Sequence, residues 1–293
     1  MASDSASPGP AEVGPIGIFA GGGQFPLLFA RAARERGRAS VLIAHRGETD
    51  PAVEEAADRV HWVKLGQLGK VIDCFLQAGV REAVFLGTIT KTRIFRDVWP
   101  DLRALALWRR IDTRQDDAIL RAVAAELERE GIRVLASTCY LENLLFPAGV
   151  LTRCRPTPEQ WEDIRFGWRI AKEIGRLDIG QTVVVRDRSV LAVEAIEGTD
   201  QAIRRGGELA GGGAVVVKVR KPGQDFRFDL PATGPGTVES LRQVAAQVLA
   251  VEAGQSLLFD PLATVAAADK AGIVVVGVSE EEMQSTAPAD NGP

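Results

Sequence analysis

Acidic side chains that could hold a divalent cation are concentrated in the C-terminal half of this 293-residue chain. The stretch "IEGTDQAIRRGG" places Glu197 and Asp200 at the start of a predicted helix, shortly before Arg204 and Arg205. Mg²⁺ takes a few oxygen ligands, keeps several waters and often bridges to substrate phosphates. The stretch could therefore handle phosphate and a cation together. The alternative is an ordinary helix start, at which Thr199 or Asp200 caps free N–H groups.

A second charged stretch, "RKPGQDFRFDLP", alternates basic and acidic residues in a segment rich in turn-forming residues. Its charged residues after the first arginine are Lys221, Asp225, Arg227 and Asp229. Loops that carry packed charge are more often functional than solvent-facing helices, although Asp225 could also be a simple turn residue. Glu194 and Glu252 are further carboxylates in this half of the chain.

The N-terminal part offers a candidate phosphate site. "GIFAGGGQFPLLFA" is typical of a strand, a glycine turn and a helix start. Gly21, Gly22 and Gly23 would let the backbone approach a ligand, and the free amides of the helix start suit a phosphate. The GxGxxG dinucleotide pattern is incomplete, because Pro26 stands where the third glycine belongs and no acid follows the second strand. A tight turn without a ligand is the alternative.

The stretch Lys91–Arg114 is basic and rich in tryptophan. It holds seven basic residues against three acidic ones, a local net charge of +4 on a chain whose total is -4, and two of the five tryptophans. Interleaved Arg, Trp and Leu could face anionic headgroups or an acylated phosphate ligand. The alternative is a solvated basic helix face above a buried apolar stripe.

Several classes of protein are disfavoured by composition. The three cysteines are scattered without a CxxC pair, which favours a reduced protein without a disulfide framework or zinc site. Neither His45 nor His61 lies in a metal or triad pattern, and the negative net charge disfavours nucleic acid as a partner. The start lacks the basic and apolar regions of a signal peptide, and no apolar run approaches the ~20 residues of a membrane span. We expect a cytoplasmic protein.

These candidate residues need a scaffold, and the hydrophobic pattern predicts an α/β protein of two domains. Five short apolar runs, "IGIFA", "SVLIA", "RVHWV", "AVFLG" and "RVLAS", alternate with amphipathic stretches, which predicts a parallel sheet flanked by helices. The Pro-rich "FPAGVLTRCRPTPEQ" predicts a boundary. We expect a Rossmann-like N-terminal domain over 14–146, a mixed α/β C-terminal domain over 156–279, and disordered tails at 1–13 and 280–293.

The C-terminal domain is predicted from four patterns. A helix should start at Thr157 and run through Ile174, and "QTVVVRDRSVLAVEA" should form a hairpin turning at Asp187-Arg188. Another helix is predicted from the spacing of Val238, Leu241, Ala245 and Val248. Asp260 should be the N-cap of a last helix, which Pro261 begins and the strand "GIVVVGV" follows.

Six motifs in this order give the chain a specific resemblance. They are "FAGGGQFP", "DDAIL", "LDIGQTVVV", "VLAVEAIEGTD", "VVKVRKPGQDFRFDLP" and "VEAGQSLLFD". From about Ile16 to Val278, the chain resembles the UDP-2,3-diacylglucosamine pyrophosphatase family of lipid A biosynthesis, LpxI type. The combination is far more specific than any single motif.

The resemblance implies a divalent-cation-dependent hydrolase with two α/β domains that enclose a lipid substrate. It would use Mg²⁺ or Mn²⁺ to split UDP-2,3-diacylglucosamine into UMP and 2,3-diacylglucosamine 1-phosphate. Such an enzyme would touch the cytoplasmic face of the inner membrane transiently, and it could form a homo-oligomer. Two alternatives stay open: an NADP-dependent oxidoreductase, supported by the glycine turn and Arg46, and a non-catalytic protein that binds acylated sugar nucleotides.

Roles for individual residues follow from the charge clusters and the resemblance together. The expected catalytic residues are Asp225, Asp200, Glu197, Lys221 and Arg227. The expected metal ligands are Asp225, Asp200 and Glu194. The expected substrate contacts are Gly21, Gly22, Gly23, Gln24, Thr88, Lys91, Asp116, Thr199 and Gln224.

Overall fold

The computed structural model describes residues 14–89, 99–109, 116–228 and 230–284. They divide into two compact units. The first unit runs to Leu141 and includes residues 225–228; the second comprises Glu142–Gln224 and the chain from Leu230 onward. The sequence assigned residues 225–228 to the C-terminal domain, so their packing with the N-terminal unit is a difference from that prediction.

The first unit is built on a five-stranded parallel sheet. Its strands are β1 (Ile16–Ala20), β2 (Ser40–His45), β3 (Arg59–Val63), β4 (Glu82–Leu86) and β5 (Arg133–Val134). Its described helices are α1 (Phe25–Glu35), α2 (Val53–Ala56), α3 (Leu68–Gln77), α4 (Leu102–Trp108) and α5 (Asp116–Arg129). The strand order β3-β2-β1-β4-β5 is that of a doubly wound dinucleotide-binding sheet. The predicted Rossmann-like domain is confirmed.

Burial explains why these apolar runs form central strands. Every residue of β2 is buried, and β1 pairs in parallel with both β2 and β4. A strand covered on both faces is a nearly continuous apolar run, and the polar ends of β2, Ser40 and His45, form side-chain hydrogen bonds. "RVLAS" was predicted as a full strand, but only Arg133–Val134 pairs with β4.

The second unit contains a six-stranded mixed sheet and a separate pair of short strands. Its strands are β6 (Gly149–Val150), β7 (Thr182–Arg186), β8 (Ser189–Val193), β9 (Val215–Lys218), β10 (Ala232–Thr233), β11 (Val248–Glu252), β12 (Leu257–Leu258) and β13 (Val274–Val278). Its described helices are α6 (Pro158–Arg176), α7 (Thr199–Ala210), α8 (Pro235–Gln243), α9 (Pro261–Ala271) and α10 (Glu280–Gln284), with a 3₁₀ turn at Glu142–Leu144. The order is β6-β13-β11-β9-β7-β8, in which β9, β11 and β13 are parallel and the outer strands antiparallel. The predicted mixed α/β domain is confirmed.

Two local predictions in this unit are confirmed by capping and turn geometry. Thr157 is the N-cap of α6, and it exchanges hydrogen bonds with Gln160 in a capping box. The β7–β8 hairpin turns at Asp187 and Arg188, which both have positive φ, as a two-residue turn that matches the strand twist requires. The carboxylate of buried Asp163 accepts hydrogen bonds from both turn amides.

Two other local predictions are wrong. The helix predicted through Val248 ends at Gln243, because Ala245 has φ 51° and Val248 begins β11. The "VLAVE" run pairs with β9 on one side and β13 on the other, so tertiary pairing overrides the helical spacing. Residues 280–284, predicted as tail, form α10. Among the described helices, none is both long and apolar enough to cross a membrane.

Candidate functional site

The glycine turn of the first unit lies where the strand order reverses, between β1 and β4. The Gly21 amide donates to the Leu86 carbonyl, and the Gly22 amide donates to the Thr88 carbonyl, each at 2.7 Å. A Cβ on Gly21 would lie 2.5 Å from the Thr88 carbonyl oxygen. Close packing of two backbones therefore accounts for these glycines, and their amides already have partners inside the protein.

Gly23 and Gln24 differ from the two preceding glycines. Gly23 has φ +85° and open space around its Cα, and exposed Gln24 is the N-cap of α1 without a side-chain capping bond. Pro26 occupies the first turn, where its missing N–H costs no helical bond. A helix start is suited to an anion, so Gly23 and Gln24 stay the candidates here for the predicted phosphate contact.

Gly87 provides a stability test of this turn. Its φ is +81°, and an added Cβ would lie 2.3 Å from the Gly22 carbonyl oxygen, whereas Gly79 has φ +76° with no atom nearby. We expect Gly79→Ala to cost about 1 kcal/mol for its left-handed backbone. Gly87→Ala should cost about 1–3 kcal/mol more for overpacking. Urea denaturation followed by circular dichroism measures both, and equal losses would contradict the close-packing explanation.

An apolar cavity of about 340 Å³ opens in the first unit beside this turn. Its apolar walls include Phe19, Val71, Phe85, Leu107, Val123 and Phe228, and its polar lining includes His45, Lys64 and Thr88. Ligands of open α/β sheets bind outside the carboxyl ends of the strands at such a reversal of strand order. The cavity is large enough for a small-molecule group and is mostly apolar, as ligand pockets are.

Histidine and cysteine chemistry is disfavoured by burial in this unit. Burial lowers the pKa of His45, whose Nδ1 donates to the Ala20 carbonyl at 2.9 Å, so the ring is neutral near pH 7. Burial also raises the pKa of the Cys139 thiol to about 11, which keeps it protonated and weakly nucleophilic. All three cysteines are free, as the sequence predicted.

Residues 225–228 add a carboxylate and an aromatic ring to the first unit. Phe228 is buried and lines the cavity, with its ring edge-on to Phe85. Arg227 holds the Asp225 carboxylate through Nε at 3.1 Å and Nη2 at 2.8 Å, and it also pairs with Glu128. These hydrogen bonds from Arg227 hold the pKa of Asp225 below its ordinary value. Asp225 is therefore ionised at neutral pH, which favours an electrostatic or metal-binding role over that of a general base.

Glu194 is one of the buried carboxylates that the structure describes in the second unit. It directly follows β8, and its amide donates to the Thr182 carbonyl. One carboxylate oxygen accepts the Thr199 hydroxyl at 3.0 Å, while the other is buried with no hydrogen-bond partner among the described residues. A buried carboxylate oxygen without a partner is costly. It fits a cation that takes its remaining ligands from water and from a substrate phosphate.

Lys218 lies on the same face of the sheet, at the carboxyl end of β9. Thr182 pairs with Lys218 across β7 and β9, so Glu194, Thr182 and Lys218 occupy successive strands. Residues that pair directly across strands project to the same face. Lys218 is buried and donates to the Ala232 carbonyl at 2.7 Å. A carboxylate, hydroxyls and an ammonium group are thereby aligned along one edge.

Further polar groups without partners cluster at this edge of the second sheet. Among the residues of this unit that the structure describes, buried side-chain atoms without a hydrogen-bond partner include those of Gln181, Glu194, Arg220, Thr233, Gln255 and Ser256. Gln181 precedes β7, Arg220 follows β9, and Gln255 follows β11. Native proteins leave few buried polar atoms unpaired. Their concentration where the parallel strands end indicates a binding surface for a polar ligand.

Two residues of the stretch "IEGTDQAIRRGG" make different contacts: Thr199 with Glu194, and Glu197 with Arg205. The N-cap of α7 is Gly198, with φ 84° and no side-chain cap. The capping role predicted for Thr199 or Asp200 is therefore wrong, and the Thr199 hydroxyl contacts Glu194 instead. Glu197 accepts hydrogen bonds from the Ala195 amide and from Arg205. Backbone hydrogen bonding and Arg205 hold the pKa of Glu197 below its ordinary value. Asp200 is exposed in the first turn of the helix.

The other predicted residues have the following positions. Lys221 pairs with Asp178 at 2.7 Å, and the Gln224 carbonyl accepts a hydrogen bond from Arg220. Exposed Thr88 pairs with Gly22. Asp116 begins α5, but its side chain, like all of Lys91 and Asp229, lies outside the described residues.

The predicted metal ligands are divided between the two units. Asp225 belongs to the first unit, whereas Asp200 and Glu194 belong to the second. Within the described ranges, no three His, Cys, Asp or Glu side chains form a metal-binding group. Of these three carboxylates, Glu194 is the one with a buried oxygen that lacks a partner. The metal remains a prediction.

Sequence reasoning missed the residues at the strand ends. Lys218 follows three buried valines, and Thr182 begins a strand of otherwise buried valines. A charged residue inside a buried apolar run is an available signal, since lysine is rarely buried without a functional or structural reason. Arg220 carried no signal of this kind, because it precedes a loop already crowded with charge.

Two family models together cover most of the chain. The model described as the LpxI N-terminal domain matches residues 15–144, and the model described as the LpxI C-terminal domain matches residues 147–276. A protein of Caulobacter vibrioides named "UDP-2,3-diacylglucosamine pyrophosphatase LpxI" is 35% identical over 280 residues. The match covers 91% of this chain and 98% of that protein.

The solved structures that match the chain are only distantly similar to it. The biotin carboxylase domain of 2-oxoglutarate carboxylase from Hydrogenobacter thermophilus is 15% identical, with a TM-score of 0.21, and the match covers 61% of this chain and 36% of that one. The crystal structure of gox2253 is 9% identical, with a TM-score of 0.26 and coverage of 69% and 71%. The chain thus spans about a third of the carboxylase, and at TM-scores this low neither likeness carries an argument.

Proposed function

The chain belongs to the LpxI family, and from this premise we propose that it hydrolyses the diphosphate bond of UDP-2,3-diacylglucosamine. The products are UMP and 2,3-diacylglucosamine 1-phosphate, an intermediate of lipid A biosynthesis. The observation that carries the proposal is the 35% identity, spread over nearly the full length of both chains, to a protein named for this activity.

The apolar cavity of the first unit supports an acylated substrate. A volume of about 340 Å³ lined by phenylalanine, leucine and valine side chains suits hydrocarbon rather than the polar nucleotide. Its rim is polar at Lys64 and Thr88, next to the glycine turn. An acyl chain in this cavity would leave the charged part of the substrate outside, near Gly23 and Gln24.

Each unit, taken by itself, has positive side chains suited to phosphate. In the first unit, Arg227 can neutralise phosphate oxygens, while Asp225 fixes the position of its guanidinium. In the second unit, buried Lys218 and half-buried Arg220 supply positive charge at the carboxyl edge of the sheet. Fixed positive groups aimed at developing negative charge are worth most where water is excluded.

We propose Mg²⁺ or Mn²⁺ as the cofactor, with Glu194 as the residue best suited to hold it. When bound, such an ion would neutralise phosphate charge and lower the pKa of a coordinated water. Asp225 can bind the ion only if its carboxylate also keeps its hydrogen bonds with Arg227. The exposed carboxylate of Asp200 needs no rearrangement to accept a ligand.

The proposed reaction consumes one water. The water oxygen forms a bond to one phosphorus, and the bond from that phosphorus to the bridging oxygen breaks. The other phosphate leaves with the bridging oxygen, and the water protons pass to solvent or to the product phosphates. In-line attack of this type depends mainly on positioning and charge stabilisation, which the arginine, lysine and carboxylate groups can supply.

We also propose that the protein works at the cytoplasmic face of the inner membrane, because a diacylated sugar nucleotide partitions into a bilayer. Contact with the membrane surface would be transient. A homo-oligomer is compatible with this proposal.

The proposed function is tested by supplying purified full-length protein with UDP-2,3-diacylglucosamine in detergent micelles. With Mg²⁺ or Mn²⁺ we expect UMP and the sugar monophosphate in equal amounts, and with a chelator we expect UMP release to stop. Continued release with the chelator would remove the cation from the proposal. Substrate binding without UMP release would favour the non-catalytic alternative, and NADPH binding would favour the oxidoreductase.

A further inference from the structure

Large apolar side chains are exposed on one short part of the first unit. Ten large apolar side chains are exposed among the described residues, and four of them are Trp99, Leu102, Leu105 and Trp108. These four side chains are here called the α4 face. Trp99 is 65% exposed and Leu102 86% exposed. An apolar cluster of this kind marks an interaction site more often than an isolated exposed leucine does.

The helix is held in place from its opposite side. Leu107 is buried and packs with Ala104 against the core of the first unit. The Asp101 carboxylate accepts the Ala104 amide at its own helix start and the Gly69 amide on α3. Arg103 pairs with Glu126 and Glu130 on α5. The exposure of the α4 face is therefore a consequence of a fixed helix orientation.

Positive charge surrounds the α4 face. The Lys64 ammonium lies 4.5 Å from the centre of the Trp99 ring, and Lys64, Lys70 and Arg109 are exposed. Of the described acidic groups near the helix, Asp101 accepts two amides, and Glu126 and Glu130 hold Arg103. Any acidic surface would be attracted to this part of the protein.

The α4 face borders the apolar cavity. Pro100, Ala104, Leu107 and Trp108 line the cavity, whereas Trp99, Leu102 and Leu105 do not. Trp108 thus belongs to both surfaces. A lipid that leaves a bilayer at this face would meet the cavity wall at Trp108.

We propose that the α4 face docks onto an anionic phospholipid bilayer, and that the acylated substrate enters the cavity there. An anionic bilayer is favoured as the partner because this face combines tryptophan and leucine with exposed cations. Tryptophan favours the headgroup level of a membrane, and basic residues next to inserted apolar side chains bind anionic lipid. The entry route rests on the proposed function, while the docking itself does not.

The experiment is vesicle co-sedimentation of the full chain, without substrate. Wild-type protein should bind vesicles of phosphatidylethanolamine and phosphatidylglycerol more strongly than vesicles of phosphatidylcholine, and added salt should weaken the binding. Leu102→Glu should weaken binding about tenfold or more, because a leucine inserted at the interface is replaced by a charge. Leu262→Glu is the matched control, since Leu262 on α9 is 90% exposed and the change in charge is the same. This control should bind as wild type does.

Three results would overturn the proposal. They are absence of binding by the wild type, equal binding by the Leu102→Glu and Leu262→Glu variants, and equal binding to anionic and neutral vesicles. A dimer that Leu102→Glu dissociates in sedimentation equilibrium would assign the face to a second copy instead. UMP release by the wild type in detergent is measured in parallel. Its loss would count against the proposed function, whereas its presence without vesicle binding would count against docking alone.

Discussion

Asp225→Asn is expected to lower the rate of UMP release by about 100-fold or more while leaving the protein folded. The size of the loss corresponds to removal of one fixed charge that acts on the transition state. Asn has nearly the shape of Asp and keeps one oxygen to accept the Arg227 side chain. Arg227 also retains Glu128. Because both members of the Asp225–Arg227 pair are partly exposed, losing the ion pair should cost at most about 1 kcal/mol of folding free energy.

The matched control for this variant is Asp269→Asn. Asp269 on α9 is also partly buried, accepts the Arg153 amide at 2.8 Å and pairs with the Arg153 guanidinium. It lies in the second unit, far along the sequence from every residue with a proposed role, so this variant should release UMP at the wild-type rate. Single-turnover UMP release and thermal unfolding are measured for both variants. Near-normal turnover by Asp225→Asn would remove Asp225 from the catalytic residues.

The protonation state of Asp225 sharpens this expectation. Hydrogen bonds from Arg227 depress its pKa in the folded protein. A depressed carboxyl pKa keeps the ionised form present down to a lower pH than in an unfolded chain, and protonation follows only when the pH falls through the folded value. Any fall in turnover between pH 7 and the ordinary carboxyl range must therefore come from another group.

The sheets could be predicted from sequence because their strands are short apolar runs. Burial on both faces favours valine, isoleucine, leucine and phenylalanine, and "IGIFA" coincides with the central strand β1 residue for residue. "RVHWV" also coincides with β3, but this edge strand is only partly buried, so the predicted burial on both faces is wrong there. Helix ends with local signals were equally clear, since Thr157 and Gln160 form their capping box within one turn. Where sequence spacing fitted a helix but sheet pairing decided the outcome, as at Val248, the prediction failed.

The candidate site was harder to predict, since its contacts join residues that are distant in sequence. Asp225 was chosen as a charged loop residue, but nothing local indicated that Phe228 would pack into the core of the first unit. Glu194 was chosen because it is an acid at a strand end. Lys218 could not be placed near it from sequence, because its position depends on the pairing of β7 with β9. The capping interpretation of Thr199 failed because its hydroxyl contacts Glu194, which lies five residues earlier.

Glu194→Gln is expected to lower UMP release by about 100-fold, and much more than Glu197→Gln does. In Glu194, one oxygen accepts the Thr199 hydroxyl and the other is buried without a partner. Gln keeps the first contact and the side-chain shape, but it replaces the second oxygen with an NH₂ group that cannot bind a cation. If Glu194 holds the metal, the Mg²⁺ concentration for half-maximal activity should also rise by about tenfold or more.

Glu197→Gln is the matched control, because Glu197 is three residues away and its carboxylate is already held by Arg205 and the Ala195 amide. Its side chain is 30% exposed, so this ion pair contributes at most about 1 kcal/mol. UMP release should then change by less than about fivefold. Magnesium titrations of both variants separate the two carboxylates. Equal losses would mean that the buried oxygen of Glu194 has no special part in turnover. A loss for Glu197→Gln alone would favour a metal site at the exposed start of α7.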